Sequence, residues 1–122
     1  MERRNFEKIV LEALENMPGV FRRRIENVDF IVEDRPTAEQ AKFVDNPAGI
    51  MILGMYQGVP LSKRGQFYGM VMPDKITIFK RNVEKICKTE EEIRRTIFHT
   101  VQHELAHYFG ISDDELRRSG TY

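Results

Sequence analysis

The stretch EEEIRRTIFHTVQHELAHYFGISDD, residues 90–114, decides the fold of this chain. At about 100° per residue, its apolar side chains gather on one arc of a helix that spans roughly 160°. The members of that arc are Ile93, Ile97, Phe98, Val101, Leu105, Tyr108 and Phe109. This pattern predicts an amphipathic helix from Glu90 to Phe109 with the arc facing a hydrophobic core.

The histidines of the chain lie on a second strip of the same helix. His103 and His107 are one turn apart, which places their Cβ atoms about 5–6 Å apart. Two imidazoles so placed can each bring a nitrogen to about 2.0–2.1 Å from one zinc ion. Glu104, about 100° round the helix from His103, is better placed as a general base for a metal-bound water than as a ligand. The strip therefore predicts a metal site rather than a solvated surface.

A third ligand has to come from outside this pair. His99 continues the strip, but it lies two turns and about 12 Å along the axis from His107, which is too far for one ion. Gly110 can reverse the chain through a left-handed cap, and three residues later Asp113 can return towards the metal. Asp113 is therefore the favoured third ligand. Asp114, or a purely helix-capping role for this acidic pair, remains open.

The first half of the chain predicts one long helix and two strands. Apolar residues on one helical face predict a helix over residues 2–17. Alternating apolar and polar residues predict a strand within residues 27–36. A short helix over residues 37–44 would be capped by Thr37. The apolar run at residues 50–56 predicts a buried strand.

The second half predicts a long connection followed by a strand and helices. Residues 57–74 are rich in glycine and proline and predict an irregular loop with a short strand at residues 67–72. Residues 75–81 alternate as a half-exposed strand would, and a final short helix begins near Asp113. We therefore expect residues 1–122 to form one α+β domain, a small mixed sheet with helices packed on one side and the histidine helix near the C-terminus.

Composition narrows the class of protein. The 122 residues carry 19 basic and 19 acidic side chains, so no overall charge favours nucleic acid or an anionic membrane. Arg22, Arg23 and Arg24 are expected to form a solvated helix end or loop. The one cysteine, Cys87, excludes an internal disulfide and is expected to be half-buried. No apolar run reaches the roughly 20 residues of a membrane helix, and no signal peptide is evident, so we expect a cytoplasmic protein.

Four segments carry a resemblance to a known family. The run His103-Glu104-x-x-His107-x-x-Gly110-x-x-Asp113 resembles the signature of zincin-like metallopeptidases whose third ligand is an aspartate. The whole chain resembles the small bacterial minimal zincins in the segments NVDFIVEDRP (27–36), LGMYQGVPLSKR (53–64), MPDKITIFKRN (72–82) and RRTIFHTVQHELAHYFGISDDEL (94–116).

This resemblance implies a compact zincin-like α+β fold. It also implies that His103, His107 and Asp113 hold one Zn²⁺ ion per chain and that Glu104 is the catalytic base. The activity implied is that of a metallopeptidase, with a peptide or protein as substrate. The sequence gives no indication of the oligomeric state.

Two functions fit these features. The first is metal-dependent peptide hydrolysis, with strand KITIFK (75–80) offering an exposed edge to an extended peptide and the 57–74 loop forming the opposite wall. Arg64 is expected to form an internal ion pair, and Tyr68 and Tyr108 are expected to pack rather than bind substrate. The alternative is a metal-binding interaction or regulatory module without catalysis. Glu104 favours hydrolysis, because a purely structural zinc site needs no carboxylate at that position.

Overall fold

The long histidine helix is present in the computed structural model, which describes residues 1–17, 19–23, 25, 28–43, 51–58 and 74–111. The helices are α1 (Arg3–Glu15), α2 (Gly19–Arg22), α3 (Ala38–Phe43), α4 (Lys80–Ile86) and α5 (Glu90–Tyr108). The strands are β1 (Val28–Glu33), β2 (Gly54–Gln57) and β3 (Asp74–Phe79). The predicted helices at residues 2–17, 37–44 and 90–109 and the predicted first strand are confirmed within one or two residues.

The sheet is mixed, with the strand order β1-β3-β2. Strand β3 pairs in parallel with β1 and antiparallel with β2. One face of this sheet, which carries Val32, Ile76 and Ile78, packs against α1 and α5 and forms the core with them. The prediction of an α+β fold, a small mixed sheet with helices packed on it, is therefore confirmed.

The core is built from the apolar faces that the sequence predicts. From α1 it receives Phe6, Ile9, Val10 and Ala13, and from α5 it receives Ile93, Ile97, Val101, Leu105 and Tyr108. Of the remaining members of the predicted arc, Phe98 and Phe109 are partly buried against the same core. Burial of these side chains is the main force that fixes α5 against the sheet, at about 25 cal/mol per Å² of apolar surface removed from water.

Strand β3 corrects one prediction. Residues 75–81 were expected to form a half-exposed strand with a free edge, but β3 lies between β1 and β2, so both of its edges are paired. Its second face is also covered, since Thr77 and Phe79 are fully buried. Lys75, which remains partly exposed, lies near Glu33 on the neighbouring strand with a separation of 3.9 Å. A substrate peptide cannot add to this strand.

Two smaller differences concern the secondary-structure elements, and one capping prediction is confirmed. Strand β2 begins at Gly54 rather than at residue 50, and only Met55 among its side chains is fully buried. Helices α2 and α4 were not predicted. The capping prediction for α3 is confirmed and extended, because the Thr37 hydroxyl accepts a hydrogen bond from the Gln40 amide while the Gln40 side chain accepts one from the Thr37 amide.

Helix α4 carries a partly buried ion-pair cluster. Glu84 accepts hydrogen bonds from the Met1 amine at 2.9 Å and from Lys80 at 3.1 Å. Burial raises the pKa of the Glu84 carboxyl, but these two cationic donors outweigh it and hold the pKa below its ordinary value of 4.5. Beyond the helix, Cys87 is half-buried as expected, with its Sγ 3.3 Å from the Thr96 hydroxyl.

Two predicted elements lie outside the described residues: the strand at residues 67–72 and the final short helix near Asp113. Within the part of the chain that is described, none of the helices combines the length and the apolar composition needed to cross a membrane.

Candidate metal centre

Both ends of α5 are held by capping interactions. The Thr89 hydroxyl accepts a hydrogen bond from the Glu92 amide at 3.1 Å and caps the first turn. At the other end Gly110 adopts a φ of 87°, as the sequence predicts. The Gly110 amide bonds to the His107 carbonyl and the Ile111 amide bonds to the Ala106 carbonyl, each at 2.9 Å. This pair of bonds is a Schellman motif, and it ends the helix directly after the second histidine.

The two histidine rings have the spacing of a chelating pair. Rings that share one ion at about 2.0–2.1 Å, with ligand angles of about 90–110°, have centroids about 4.5–5.2 Å apart. The centroids of His103 and His107 are 4.7 Å apart, with an interplanar angle of 73°. The centroids of His99 and His103 are 6.2 Å apart, and the His99 side chain is exposed. The structure therefore brings His103 and His107 together and leaves His99 outside this pair.

Glu104 lies beside this pair and is shielded from water. It is 7% exposed, and its Oε1 is 3.3 Å from Nδ1 of His107. One donor atom from each of His103, Glu104 and His107 falls within 4.8 Å of the others. Two imidazoles with an adjacent carboxylate are a donor set that suits zinc, so the described residues fit this ion.

Strand β2 passes over the helix so closely that a side chain at Gly54 would have no space. A Cβ placed on Gly54 would lie 2.6 Å from Cγ2 of Thr100 and 3.3 Å from Cγ of Glu104. Thr100 is buried and donates its hydroxyl hydrogen bond to the Thr96 carbonyl at 2.7 Å. Glu104 is therefore covered by the backbone of β2, and this cover depends on glycine. Sequence reasoning missed Gly54, although a glycine inside a strand pattern often marks a close approach.

A buried carboxylate, that of Asp74 at the start of β3, is hydrogen-bonded to a side chain of β2. Asp74 is 2% exposed and accepts a hydrogen bond from the Tyr56 hydroxyl at 2.6 Å. The Tyr56 ring lies edge-on to the Tyr108 ring, with centroids 6.0 Å apart. Tyr108 is fully buried, as expected of a packing residue. These contacts hold β2 against the last turn of α5. No local sequence pattern predicts them, because they join three elements that are separate in sequence, β2, β3 and α5.

Three residues of the predicted site lie outside the described residues: Asp113, Arg64 and Tyr68. The predicted role of Asp113 as third ligand therefore stays a prediction. The described part of the site consists of His103, Glu104 and His107 on α5 under the cover of β2.

The sequence from residue 25 to residue 121 matches the model of the family described as zincin-like metallopeptidase. The chain belongs to this family. The zincin-like fold also has a structural counterpart in a conserved hypothetical protein from Thermo thermophilus. That structure superposes with a TM-score of 0.59 at 21% identity, over 89% of this chain and 94% of the other. No curated protein matches the sequence.

Membership of the zincin-like family agrees with the geometry of α5. The family match includes all of α5 and Asp113, and it makes zinc the metal that the site is expected to take. The histidine pair and Glu104 are the described residues that can meet this ion.

Proposed function

We propose that this protein is a zinc-dependent peptidase in which His103, His107 and Asp113 hold the ion and Glu104 is the general base. The observation that carries the proposal is the grouping of His103, Glu104 and His107, whose donor atoms lie within 4.8 Å of one another with Glu104 almost fully buried. A structural zinc site needs only ligands, whereas a buried carboxylate beside two ligands is what proton transfer requires.

Zinc bound at this position would lower the pKa of a water ligand to about 7 and polarise a substrate carbonyl. Glu104 would accept a proton on a carboxylate oxygen and return it to the leaving amine. Its 7% exposure keeps bulk water from competing for that proton. The 3.3 Å contact with His107 holds the Glu104 carboxylate beside a ring that would bind the ion.

The substrate class follows from the edge of the sheet nearest to Glu104. Because the Phe79 amide donates to the Leu53 carbonyl, the backbone groups of Leu53, Met55 and Gln57 point towards β3. Those of Gly54 point to the opposite edge of β2, along which no other described strand pairs. An extended peptide that added to this edge would pass Glu104 at Gly54. We therefore propose unstructured peptide segments as substrates.

The alternative function, a metal-binding regulatory module, differs from the peptidase in one measurable property. Both bind zinc through His103, but only the peptidase cleaves peptide bonds. The test is digestion of a mixed, unfolded peptide library, read by mass spectrometry, with protein stripped by chelator and then reloaded with one equivalent of zinc.

We expect cleavage by the reloaded protein, none by the stripped protein, and loss of both zinc and cleavage in His103→Ala. Gln102→Ala is the matched control, since Gln102 is the exposed neighbour of His103 on the same helix. Stoichiometric zinc without any cleavage of the library would favour the regulatory module. Failure of the reloaded protein to hold zinc would refute both functions.

A further inference from the structure

His99 is the one histidine of the chain that the proposed peptidase does not use. It lies on α5 one turn before His103, on the same strip of the helix, and its side chain is exposed. The centroids of the two rings are 6.2 Å apart, and the rings are inclined at 37°. His99 and His103 therefore have the same four-residue spacing as His103 and His107, with ring centroids 6.2 Å apart rather than 4.7 Å.

The backbone spacing of this earlier pair suits chelation. Residues four apart on a helix have Cβ atoms about 5–6 Å apart, and this spacing is the same for both histidine pairs. The ring centroids of His99 and His103, 6.2 Å apart, need to approach by about 1.0–1.7 Å to reach the distance of about 4.5–5.2 Å for a shared ion. Because the His99 side chain is exposed, it can rotate about χ1 and χ2 to close this gap without moving the core.

We infer that His99 and His103 form a second chelating pair for a divalent transition metal, one that overlaps the zinc pair by sharing His103. Each pair needs the His103 ring, so an ion occupies one position or the other. An ion captured at the exposed position would need to exchange only one imidazole, His99 for His107, to reach the zinc site. Of the two rings, His99 is exposed and His103 is partly buried, so this pair lies at the surface of α5.

The residues around His99 predict which metal ions this pair binds and with what relative affinity. The residues one turn away from His99 are Arg95, Thr96, Gln102 and His103, and none of them is acidic. Two imidazoles suit Zn²⁺, Ni²⁺ and Cu²⁺, whereas Mg²⁺ and Ca²⁺ prefer oxygen ligands. The nearby charge of Arg95 repels a cation, so we expect weaker binding than at the zinc site.

The test uses Ni²⁺ as the probe and removes His107, so that the overlapping pair remains alone. Nickel affinity is measured by competition with a chromophoric chelator for His107→Ala and for His107→Ala with His99→Ala. We expect His107→Ala to retain nickel binding and the added His99→Ala to weaken it at least tenfold. Gln102→Ala, added in place of His99→Ala, should leave the affinity within twofold.

A second pair of variants, both carrying His103→Ala, checks that His99 binds the ion together with His103. In His103→Ala the remaining histidines are two turns apart, about 12 Å along the axis, so adding His99→Ala should change nickel affinity less than twofold. If His107→Ala does not fold, as judged by circular dichroism, His107→Gln takes its place. Equal nickel affinity with and without His99 in the His107 variant would overturn the inference. This readout does not depend on peptide hydrolysis, so the peptidase proposal can fail without affecting it.

Discussion

The close approach of β2 to α5 predicts that Gly54→Ala destabilises the protein. A Cβ at this position would lie 2.6 Å from Cγ2 of Thr100, whereas carbon atoms in contact are normally about 3.5–4.0 Å apart. Overpacking of this kind costs about 1–3 kcal/mol, and the reduced chain entropy of alanine in the unfolded state offsets about 0.4–1 kcal/mol. We therefore expect the free energy of unfolding to fall by about 1–2 kcal/mol, and Tm to fall by about 4–8 °C.

The assay is thermal and urea unfolding of four proteins: wild type, Gly54→Ala, Thr100→Ser and the double variant. Thr100→Ser removes Cγ2 but keeps the hydroxyl that donates to the Thr96 carbonyl. Gly54→Ala should therefore cost about 1 kcal/mol less when combined with Thr100→Ser than alone. Gly19→Ala is the control, because a Cβ there would meet only the flexible guanidinium of Arg23 at 3.3 Å. We expect this control to be neutral or slightly stabilising.

The same variants report on the site, since Cγ of Glu104 is 3.3 Å from the added methyl group. Peptide hydrolysis should fall in Gly54→Ala and recover in part when Thr100→Ser is added. Strict additivity of the two substitutions in the free energy of unfolding would refute the proposed contact. So would a Gly54→Ala protein as stable as Gly19→Ala.

Three further predictions follow from the caps of α5 and the cluster on α4. Thr89→Ala removes the hydroxyl that caps α5 and should lower the free energy of unfolding by about 1 kcal/mol, measured in urea; Thr89→Ser should retain most of it. Gly110→Ala places a Cβ at a φ of 87° and should lower the free energy of unfolding by about 1–2 kcal/mol. Zinc affinity should fall as well, because Gly110 forms the turn between α5 and the predicted third ligand. Unchanged stability would contradict the left-handed cap. Glu84 has a lowered pKa in the folded protein, so it stabilises the fold above its unfolded pKa, and this contribution is lost as the pH falls through the folded pKa. At pH 7, Glu84→Gln should therefore be less stable than wild type by about 1 kcal/mol or less, and its Tm should be lower. The two Tm values should converge as the pH falls below the lowered pKa of Glu84. A Tm difference independent of pH would disprove the linkage.

The sequence was sufficient for the histidine helix and for the grouping of His103, Glu104 and His107, because both are local. The apolar row from Ile93 to Leu105 lies on α5, and Gly110 directly follows its last turn. His103, Glu104 and His107 share that helix, so the helical repeat alone brings their side chains together. The prediction for Asp113 depends on the chain beyond Ile111 and stays a prediction.

The position of each strand in the sheet could not be predicted in the same way. The alternation of Lys75, Thr77 and Lys80 with isoleucines suggested a half-exposed strand, but β3 is covered on both sides by pairing with distant segments. Helix α4 gave no periodic signal because Val83 is its only fully buried side chain. The cover of Glu104 by Gly54 and the bond between Tyr56 and Asp74 depend likewise on contacts between elements far apart in sequence.

The measurement that tests the proposed activity most directly is the ratio of peptide hydrolysis rates for wild type and Glu104→Gln, compared at equal zinc content. Glutamine keeps the size of the side chain but cannot accept the proton, and general base catalysis contributes about 10²–10⁴-fold. The proposal predicts that Glu104→Gln binds zinc and hydrolyses peptides at least about 100-fold more slowly. Equal rates for the two zinc-loaded proteins would contradict it.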